Sequence, residues 1–170
     1  NLDSRISTIS ANLLYTAIFS NTLNFKSSVT TQRDIDAAKE LLKYTDLPDG
    51  WISTYYKESE EQTLADPENA IKNDTKVVSF EDKNIKITIG QIELWNSFKF
   101  IDENKETIKS VLEGFGNDEW FMTAPSISEG KNYIYTNNSK VKDMLFKTID
   151  ARFDGDVAVT SKLWLRKEIL

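Results

Sequence analysis

Carboxylates are the residues in this sequence most able to do chemistry, because the side chains that usually lead catalysis are absent. The 170 residues include 27 Asp and Glu but no His and no Cys. The commonest general base, the commonest transition-metal ligand and the thiolate nucleophile are therefore missing. Two convergent carboxylates could still act as general acid and general base. The composition as a whole predicts a protein that is not an enzyme.

Adjacent acidic pairs occur along the chain, and a solvated surface is the favoured interpretation of each pair. With 27 acidic residues in 170, neighbouring acids are expected without any function. A small hydrolase using carboxylates is an alternative. It requires two acids to converge in a deep pocket, with a raised pKa on one of them. The pairs are Asp34/Asp36, Glu60/Glu61, Asp102/Glu103, Asp118/Glu119 and Asp154/Asp156.

Three aspartates, Asp150, Asp154 and Asp156, lie close together around Gly155 and are the candidate metal ligands. Calcium prefers hard oxygen ligands, and a glycine suits the turn that would gather them. The spacing is not that of an EF-hand, and no bidentate Glu follows at the right distance. A turn with solvated acids is therefore the favoured interpretation. The expected cofactor is none, with Ca²⁺ as the alternative.

Aromatic residues supply the candidate binding site. Trp51 stands beside Tyr55 and Tyr56 in a polar region, directly after a turn. Such side chains could stack on a sugar or line a partner surface. Packing within the protein is the competing interpretation.

The charge distribution argues against nucleic acid as a partner. The 21 basic and 27 acidic residues give a net charge of −6, with a pI near 4.8. The basic residues are scattered among acids along the whole chain, so no basic patch is apparent to hold a phosphate backbone.

Apolar periodicity then predicts the elements that must position these residues. Helical spacing indicates an amphipathic helix from Asp3 to about Ser20, with Ile6, Ile9, Leu13, Ala17 and Ile18 inward. A second helix should start after Thr31, whose spacing to Asp34 resembles a capping box. Two more helices are predicted over Asp102–Glu113 and after Ser139. The polar stretch Lys57–Asp74 is predicted to be a long surface loop.

A period of two indicates strands in the second half of the chain. Lys76–Phe80 and Ile85–Ile89 flank Glu81–Asn84 and predict a β-hairpin. Further strands are predicted at Trp120–Thr123, Tyr133–Thr136, Val157–Thr160 and Leu163–Arg166. Helices and hairpins without βαβ alternation favour the α+β class. We expect one soluble domain over residues 1–170, with a long N-terminal amphipathic helix packed on an antiparallel sheet, and additional helices.

The sequence opens at Asn1 rather than Met and begins directly on the amphipathic pattern. We interpret this as a truncated fragment that lacks an N-terminal hydrophobic segment, either a signal or a membrane helix.

Two stretches resemble the type IV pilin and pseudopilin family of bacterial filaments. Asp3–Ala17 is similar to the soluble half of the family's long N-terminal helix, and Thr148–Asp156, followed by Leu163–Arg166, resembles a loop-and-strand ending of minor pilin-like proteins. The resemblance implies a non-enzymatic subunit of a type IV pilus or secretion filament. Its partners would be other subunits, and any contact with the membrane would run through the missing segment. Its location would be the periplasm or cell surface, after anchoring in the inner membrane.

A second hypothesis is an extracytoplasmic sensor or ligand-binding domain of a membrane receptor. In that case the initial helix would emerge from one membrane span, and Leu163–Leu170 would lead into another.

Overall fold

The computed structural model describes residues 6–80 and 85–169. By its contacts the chain divides into two compact units, residues 1–56 and residues 57–170, with the boundary inside a helix. The start of the predicted first helix, the predicted turn at 81–84 and residue 170 lie outside the described residues. The single domain that the sequence predicts over residues 1–170 stays a prediction.

The described part of the chain contains eight α-helices and a six-stranded sheet, which confirms the predicted α+β class. The helices are α1 (Thr8–Thr22), α2 (Gln32–Leu41), α3 (Trp51–Ala65), α4 (Pro67–Asn73), α5 (Ser97–Glu103), α6 (Lys105–Glu113), α7 (Ser139–Ile149) and α8 (Arg166–Ile169). The strands are β1 (Thr75–Phe80), β2 (Ile85–Gln91), β3 (Trp120–Ser126), β4 (Lys131–Tyr135), β5 (Phe153–Asp154) and β6 (Val157–Thr160).

Side-chain caps set the helix starts of the first unit. The backbone N–H of Ser10 donates to the Ser7 hydroxyl at 3.1 Å and caps α1. The predicted capping box at Thr31 and Asp34 is confirmed, because each side chain accepts the backbone N–H of the other. The Thr31 hydroxyl also donates to Asp34 Oδ2 at 2.7 Å, and this bond, followed by that from the Thr31 backbone N–H, lowers the pKa of Asp34 below its ordinary value.

The inward face predicted for the first helix is wrong. Ile9 is 73% exposed and Leu13 is 68% exposed, whereas Ala11 and Thr22 are buried. The two buried residues of α1 are therefore small or polar, and Ile9 and Leu13 point outward. Helix α1 is 15 residues long and belongs to the first unit, so its packing on the sheet is not confirmed and stays a prediction.

The predicted loop over residues 57–74 is wrong, because this stretch is helical. Asp66 accepts the backbone N–H of Asn69 at 3.2 Å and caps α4, and Pro67 occupies the first turn. Proline is well tolerated there, since its missing N–H would have no partner within the helix. Ile71 is then fully buried. Pro67 thus begins a helix in a segment predicted to be a loop.

The sheet of the second unit has the order β1-β2-β3-β4-β6-β5. The predicted hairpin is confirmed, with Val78 opposite Ile87 in the antiparallel β1–β2 pair. The sheet is mixed rather than antiparallel throughout, because β2 and β3 run parallel. A parallel pair needs a crossover, and the connection between these two strands carries α5 and α6.

Helices cover both faces of this sheet. Alternate residues of β3 enter different clusters, so that Trp120 and Met122 face one way and Phe121 faces the other. Side chains of α4, α5 and α6 fill the first cluster, and side chains of α7 and α8 fill the second. The helical members are Ile71, Phe100, Ile101, Ile108 and Leu112 on one face, and Val141, Leu145, Ile149 and Ile169 on the other.

The C-terminal segment also differs from its prediction. Leu163–Arg166 was expected to be a strand, but the chain turns after β6 and ends in the short helix α8. Glu168 supports this turn, since its carboxylate accepts the backbone N–H of Leu165 at 2.8 Å. Among the described helices, none is long and apolar enough to cross a membrane.

A methyl group at Gly90 should destabilise the second unit. Gly90 is buried near the end of β2, and an added Cβ would meet Met122 Sδ at 2.7 Å and Leu112 Cδ2 at 3.2 Å. We expect Gly90→Ala to lower the free energy of unfolding by about 1–3 kcal/mol, the usual cost of overpacking. Urea denaturation measures this, with the exposed Ser79→Ala as the control. An unchanged midpoint of urea denaturation would show that Met122 and Leu112 move aside without a cost in stability.

Candidate functional site

Arg166 lies at the centre of a polar cluster in the second unit. Its Nη1 donates to the carbonyl oxygens of Asp74 at 2.8 Å and Ile89 at 3.3 Å, and its Nη2 donates to Asp74 Oδ1 at 2.8 Å. Only 12% of the Arg166 side chain is exposed. A buried guanidinium needs such partners, because leaving it unpaired is costly.

Two residues at the end of β2 complete the cluster. The backbone N–H of Arg166 donates to Gln91 Oε1 at 2.6 Å, and Gln91 Nε2 donates to Glu93 Oε1 at 2.8 Å. Asp74 stands at the C-cap of α4, and Arg166 is the first residue of α8. Three separate elements therefore bring two carboxylates, one amide and one guanidinium together.

The electrostatics of this cluster set Glu93 apart. Burial of its carboxyl raises the pKa of Glu93, and the negative charge of Asp74 raises it further. The hydrogen bond from Gln91 and the charge of Arg166 act in the opposite direction. Glu93 is nevertheless exposed as a whole residue, so screening by solvent limits the rise in its pKa. The result is a carboxyl that holds its proton to a higher pH than an ordinary Glu.

None of the acidic pairs found in the sequence includes Asp74 or Glu93. The hydrolase alternative required a carboxyl with a raised pKa, and Glu93, with the charge of Asp74 near it, has that feature. The sequence signal was faint. Glu93 is a single acid between Ile92 and Leu94, which are both buried. A charged side chain next to buried residues at the end of a strand usually needs a polar partner.

The aromatic candidates serve packing in the first unit. Trp51 Nε1 donates to Thr16 Oγ1 at 2.8 Å, and the Tyr55 hydroxyl donates to Ser20 Oγ at 3.1 Å. The Tyr56 hydroxyl donates to the carbonyl oxygen of Phe19, and Tyr56 is buried. The three side chains fasten the start of α3 to α1. A binding role for them stays a prediction.

Two of the three candidate calcium ligands, Asp150 and Asp156, engage cations of the protein itself. Asp150 accepts from Arg152 Nε at 3.3 Å, and Asp156 pairs with Lys142 Nζ at 2.6 Å. Within residues 6–80 and 85–169, no three Asp, Glu, His or Cys side chains form a group that could hold a metal ion. Calcium binding by Asp150, Asp154 and Asp156 stays a prediction, without a ligand cluster to support it.

Comparison with known proteins favours the small-hydrolase alternative over a filament subunit. The chain is 28% identical over 167 residues to a probable manganese-dependent inorganic pyrophosphatase of Clostridium acetobutylicum, covering 94% of this chain and 52% of that protein. It is 26% identical over 164 residues to a manganese-dependent inorganic pyrophosphatase of Methanocaldococcus jannaschii, covering 93% and 52%. No protein-family model matches the chain.

A solved structure agrees with these matches. A Methanococcus jannaschii family II inorganic pyrophosphatase superimposes with a TM-score of 0.74 at 25% identity, over 96% of this chain and 53% of that one. The chain thus spans about half the length of the pyrophosphatases that it resembles.

These matches overturn the resemblance to type IV pilins and the predictions that depended on it. A filament subunit with other subunits as partners, located outside the cytoplasm and anchored in the inner membrane, is wrong, because nearly the whole chain matches pyrophosphatases. The physical reason is that an amphipathic start and an acidic loop are common patterns. The second quoted passage also folds differently, since Arg166 begins a helix rather than continuing a strand.

The prediction of a protein that is not an enzyme is wrong as well, since the relatives are enzymes. The expectation of no cofactor likewise conflicts with the manganese dependence in the relatives' names. The composition argument failed because it weighed 170 residues against enzymes about twice that length. Catalytic residue types can be absent from one half of an enzyme without being absent from the whole.

The described residues of this chain do not form a manganese centre of their own. Manganese is bound mainly by carboxylate, carbonyl, water and imidazole ligands. The chain has no His, and its described part holds no group of three or more acidic side chains placed to share an ion. Asp74 and Glu93 are two acids, and the Asp74 carboxylate is already paired with Arg166.

Replacing Glu93 should make stability less dependent on pH. A raised pKa means that the folded chain binds the Glu93 proton more readily than the unfolded chain. Stability therefore falls as pH rises from the ordinary value of 4.5 through the raised pKa. We expect Glu93→Gln to be more stable than the unaltered protein at pH 7 and equal to it below pH 4.5. Urea titrations across this range test the expectation, and Glu103→Gln is the exposed control. A variant that loses stability at pH 7 would contradict it.

Proposed function

We propose that this chain forms part of an inorganic pyrophosphatase, a hydrolase of phosphoanhydride bonds. The observation that carries the proposal is the agreement of sequence and fold over almost the whole chain, at 28% identity and a TM-score of 0.74. Glu93, whose pKa is raised by burial and by the charge of Asp74, is the candidate for proton transfer in this chain.

The residues of this chain would bind and position the substrate rather than hold metal. Pyrophosphate is a compact polyanion, and Arg and Lys are the side chains that recognise phosphate oxygens. The C-terminal segment is cationic although the chain as a whole is acidic, since Lys162, Arg166 and Lys167 fall within six residues. Arg166 is the positioning residue, because its hydrogen bonds fix the segment against β2. Lys167 follows it on α8 and is exposed.

Glu93 would supply the proton chemistry of this chain. Hydrolysis of a phosphoanhydride bond releases a phosphate that must be protonated or otherwise neutralised as it leaves. A carboxyl with a raised pKa carries its proton closer to neutral pH and is suited to that task. In the proposed enzyme manganese ions of the relatives' type would supply electrophilic chemistry, held by residues outside the described part of this chain.

Phosphate release tests the proposal. We expect the protein at its natural length to hydrolyse pyrophosphate in the presence of manganese. The 170-residue chain alone should release no phosphate above the uncatalysed rate, because its described residues offer no metal centre. A colorimetric phosphate assay with and without manganese measures both. A natural-length protein that is inactive on pyrophosphate with manganese, magnesium and cobalt would sink the proposal.

Charge removal at Lys167 separates substrate binding from chemistry. We expect Lys167→Gln, in the natural-length protein, to raise KM for pyrophosphate about tenfold with a smaller effect on kcat, as for loss of one charged contact. Lys147→Gln, an exposed lysine of α7, should behave like the unaltered enzyme. Equal KM values for both variants would remove Lys167 from the substrate site.

A further inference from the structure

Gln91 is a buried amide whose two ends make different hydrogen bonds. The residue is 8% exposed and stands at the end of β2. Its Oε1 accepts the backbone N–H of Arg166 at 2.6 Å, and its Nε2 donates to Glu93 Oε1 at 2.8 Å. A buried amide that is bonded at both ends has little freedom to rotate, because rotation breaks a bond that water does not replace. Gln91 is therefore a fixed link between α8 and Glu93.

The chemistry of its partners fixes which way round the Gln91 amide lies. The backbone N–H of Arg166 can only donate, so the atom that faces it must be the amide oxygen. The reverse orientation would place two donors against each other and leave a buried N–H without an acceptor. The NH2 group of the amide is therefore directed at Glu93.

This orientation determines where Glu93 carries its proton. The Nε2 group of Gln91 is a donor only, so Glu93 Oε1 must accept. In a neutral carboxyl the better acceptor is the carbonyl oxygen, and the proton then lies on the other oxygen, Oε2. Residue 93 is also exposed, as a proton donor to a bound molecule must be. The hydrogen bond from Gln91 thus gives this acid one defined donor atom.

A purely structural role would need only one of these two hydrogen bonds. The first N–H groups of a helix have no partner within the helix, and Gln91 Oε1 supplies an acceptor for that of Arg166 at the start of α8. An acceptor of the same length would cap α8 equally well. The hydrogen bond to Glu93 comes from the other end of the amide, so capping does not explain it.

We propose that Gln91 is a positioning residue that directs the acid proton of Glu93 onto Oε2 and holds this acid in a fixed place beside α8. The inference rests on the proposed function. In the step that it serves, the O–H bond at Glu93 Oε2 breaks as a new O–H bond forms on an oxygen of the departing phosphate. Glu93 is left as a carboxylate, which the hydrogen bond from Gln91 Nε2 stabilises until solvent returns the proton.

The surroundings of Glu93 set the direction of the pH effect. Burial is the largest cause of its raised pKa, and the charge of Asp74 at the C-cap of α4 adds to it. The hydrogen bond from Gln91 and the charge of Arg166 on α8 lower the pKa. Loss of the Gln91 donor therefore raises the pKa of Glu93 further. Because the protonated form is the active one, kcat falls as pH rises through this pKa, and without the donor that fall moves to higher pH.

Two substitutions in the natural-length protein separate positioning from capping. Gln91→Glu keeps an oxygen for the N–H of Arg166 but removes the donor to Glu93, whereas Gln91→Met removes both at similar length. We expect Gln91→Glu to lower kcat about tenfold with little change in KM, as for a misplaced catalytic group. Gln91→Met should lower kcat similarly and also raise KM, because α8 loses its cap. In both variants the fall of kcat moves to higher pH. Steady-state pyrophosphate hydrolysis with manganese across a pH series measures these quantities.

A matched control and a second background complete the design. Gln62→Glu makes the same change at an exposed glutamine of α3 and should leave kcat and its pH dependence unaltered. In a Glu93→Gln background there is no acid proton to direct, so adding Gln91→Glu should change kcat by less than about twofold. If Gln91→Glu does not fold, Gln91→Met is compared in the two backgrounds instead.

Two results would overturn the role of Gln91. A kcat that is reduced only in Gln91→Met would leave Gln91 as a helix cap. An equal loss of kcat with and without Glu93 would show that the substitution acts on the structure and not on the proton. Inactivity of the unaltered natural-length protein would contradict the proposed function instead, and it is seen before any variant is compared.

Discussion

The second unit depends on the burial of one guanidinium. Arg166 donates hydrogen bonds to backbone and side-chain oxygens of Asp74 and to the carbonyl oxygen of Ile89, residues that lie 92 and 77 positions earlier in the chain. Closing such loops costs entropy, but the cost grows slowly with length and is offset when a charge-assisted network forms in a place shielded from water. The position of α8, the burial of Ile169 and the environment of Glu93 follow from that network.

The sequence predicts those features of the fold that depend on residues close together in the chain, and fails for features that depend on distant residues. The Thr31–Asp34 capping box, the hairpin of β1 and β2 and the strand at Trp120 each depend on neighbours in sequence, and each is confirmed. The parallel pairing of β2 with β3 depends instead on a crossover of two helices, and periodicity does not distinguish parallel from antiparallel partners. Pro67 shows a third case, where one residue is compatible with both a break and a helix start.

The candidate site was not predicted from the sequence for the same reason. Acidic residues were paired along the chain, yet Asp74 and Glu93 are 19 positions apart and meet only because α4 and the end of β2 converge on Arg166. Members of the clusters that are local in sequence make contacts within the protein instead. Asp156 pairs with Lys142, and the Tyr56 hydroxyl donates to a backbone carbonyl of α1. Nearness in sequence favours local ion pairs and turns, whereas a functional cluster usually gathers residues from several elements.

Helix α1 shows what an apolar pattern can and cannot establish. Periodicity identified Ile9, Leu13 and Ala17 as one face, and the helix indeed places them together. It could not establish whether that face is buried within these residues, because the hydrophobic effect rewards removal of apolar area from water and is indifferent to the partner. The same limit applies to the missing His and Cys. Composition constrains the chemistry of the residues counted, and a chain that aligns with half of an enzyme is constrained only in its own half.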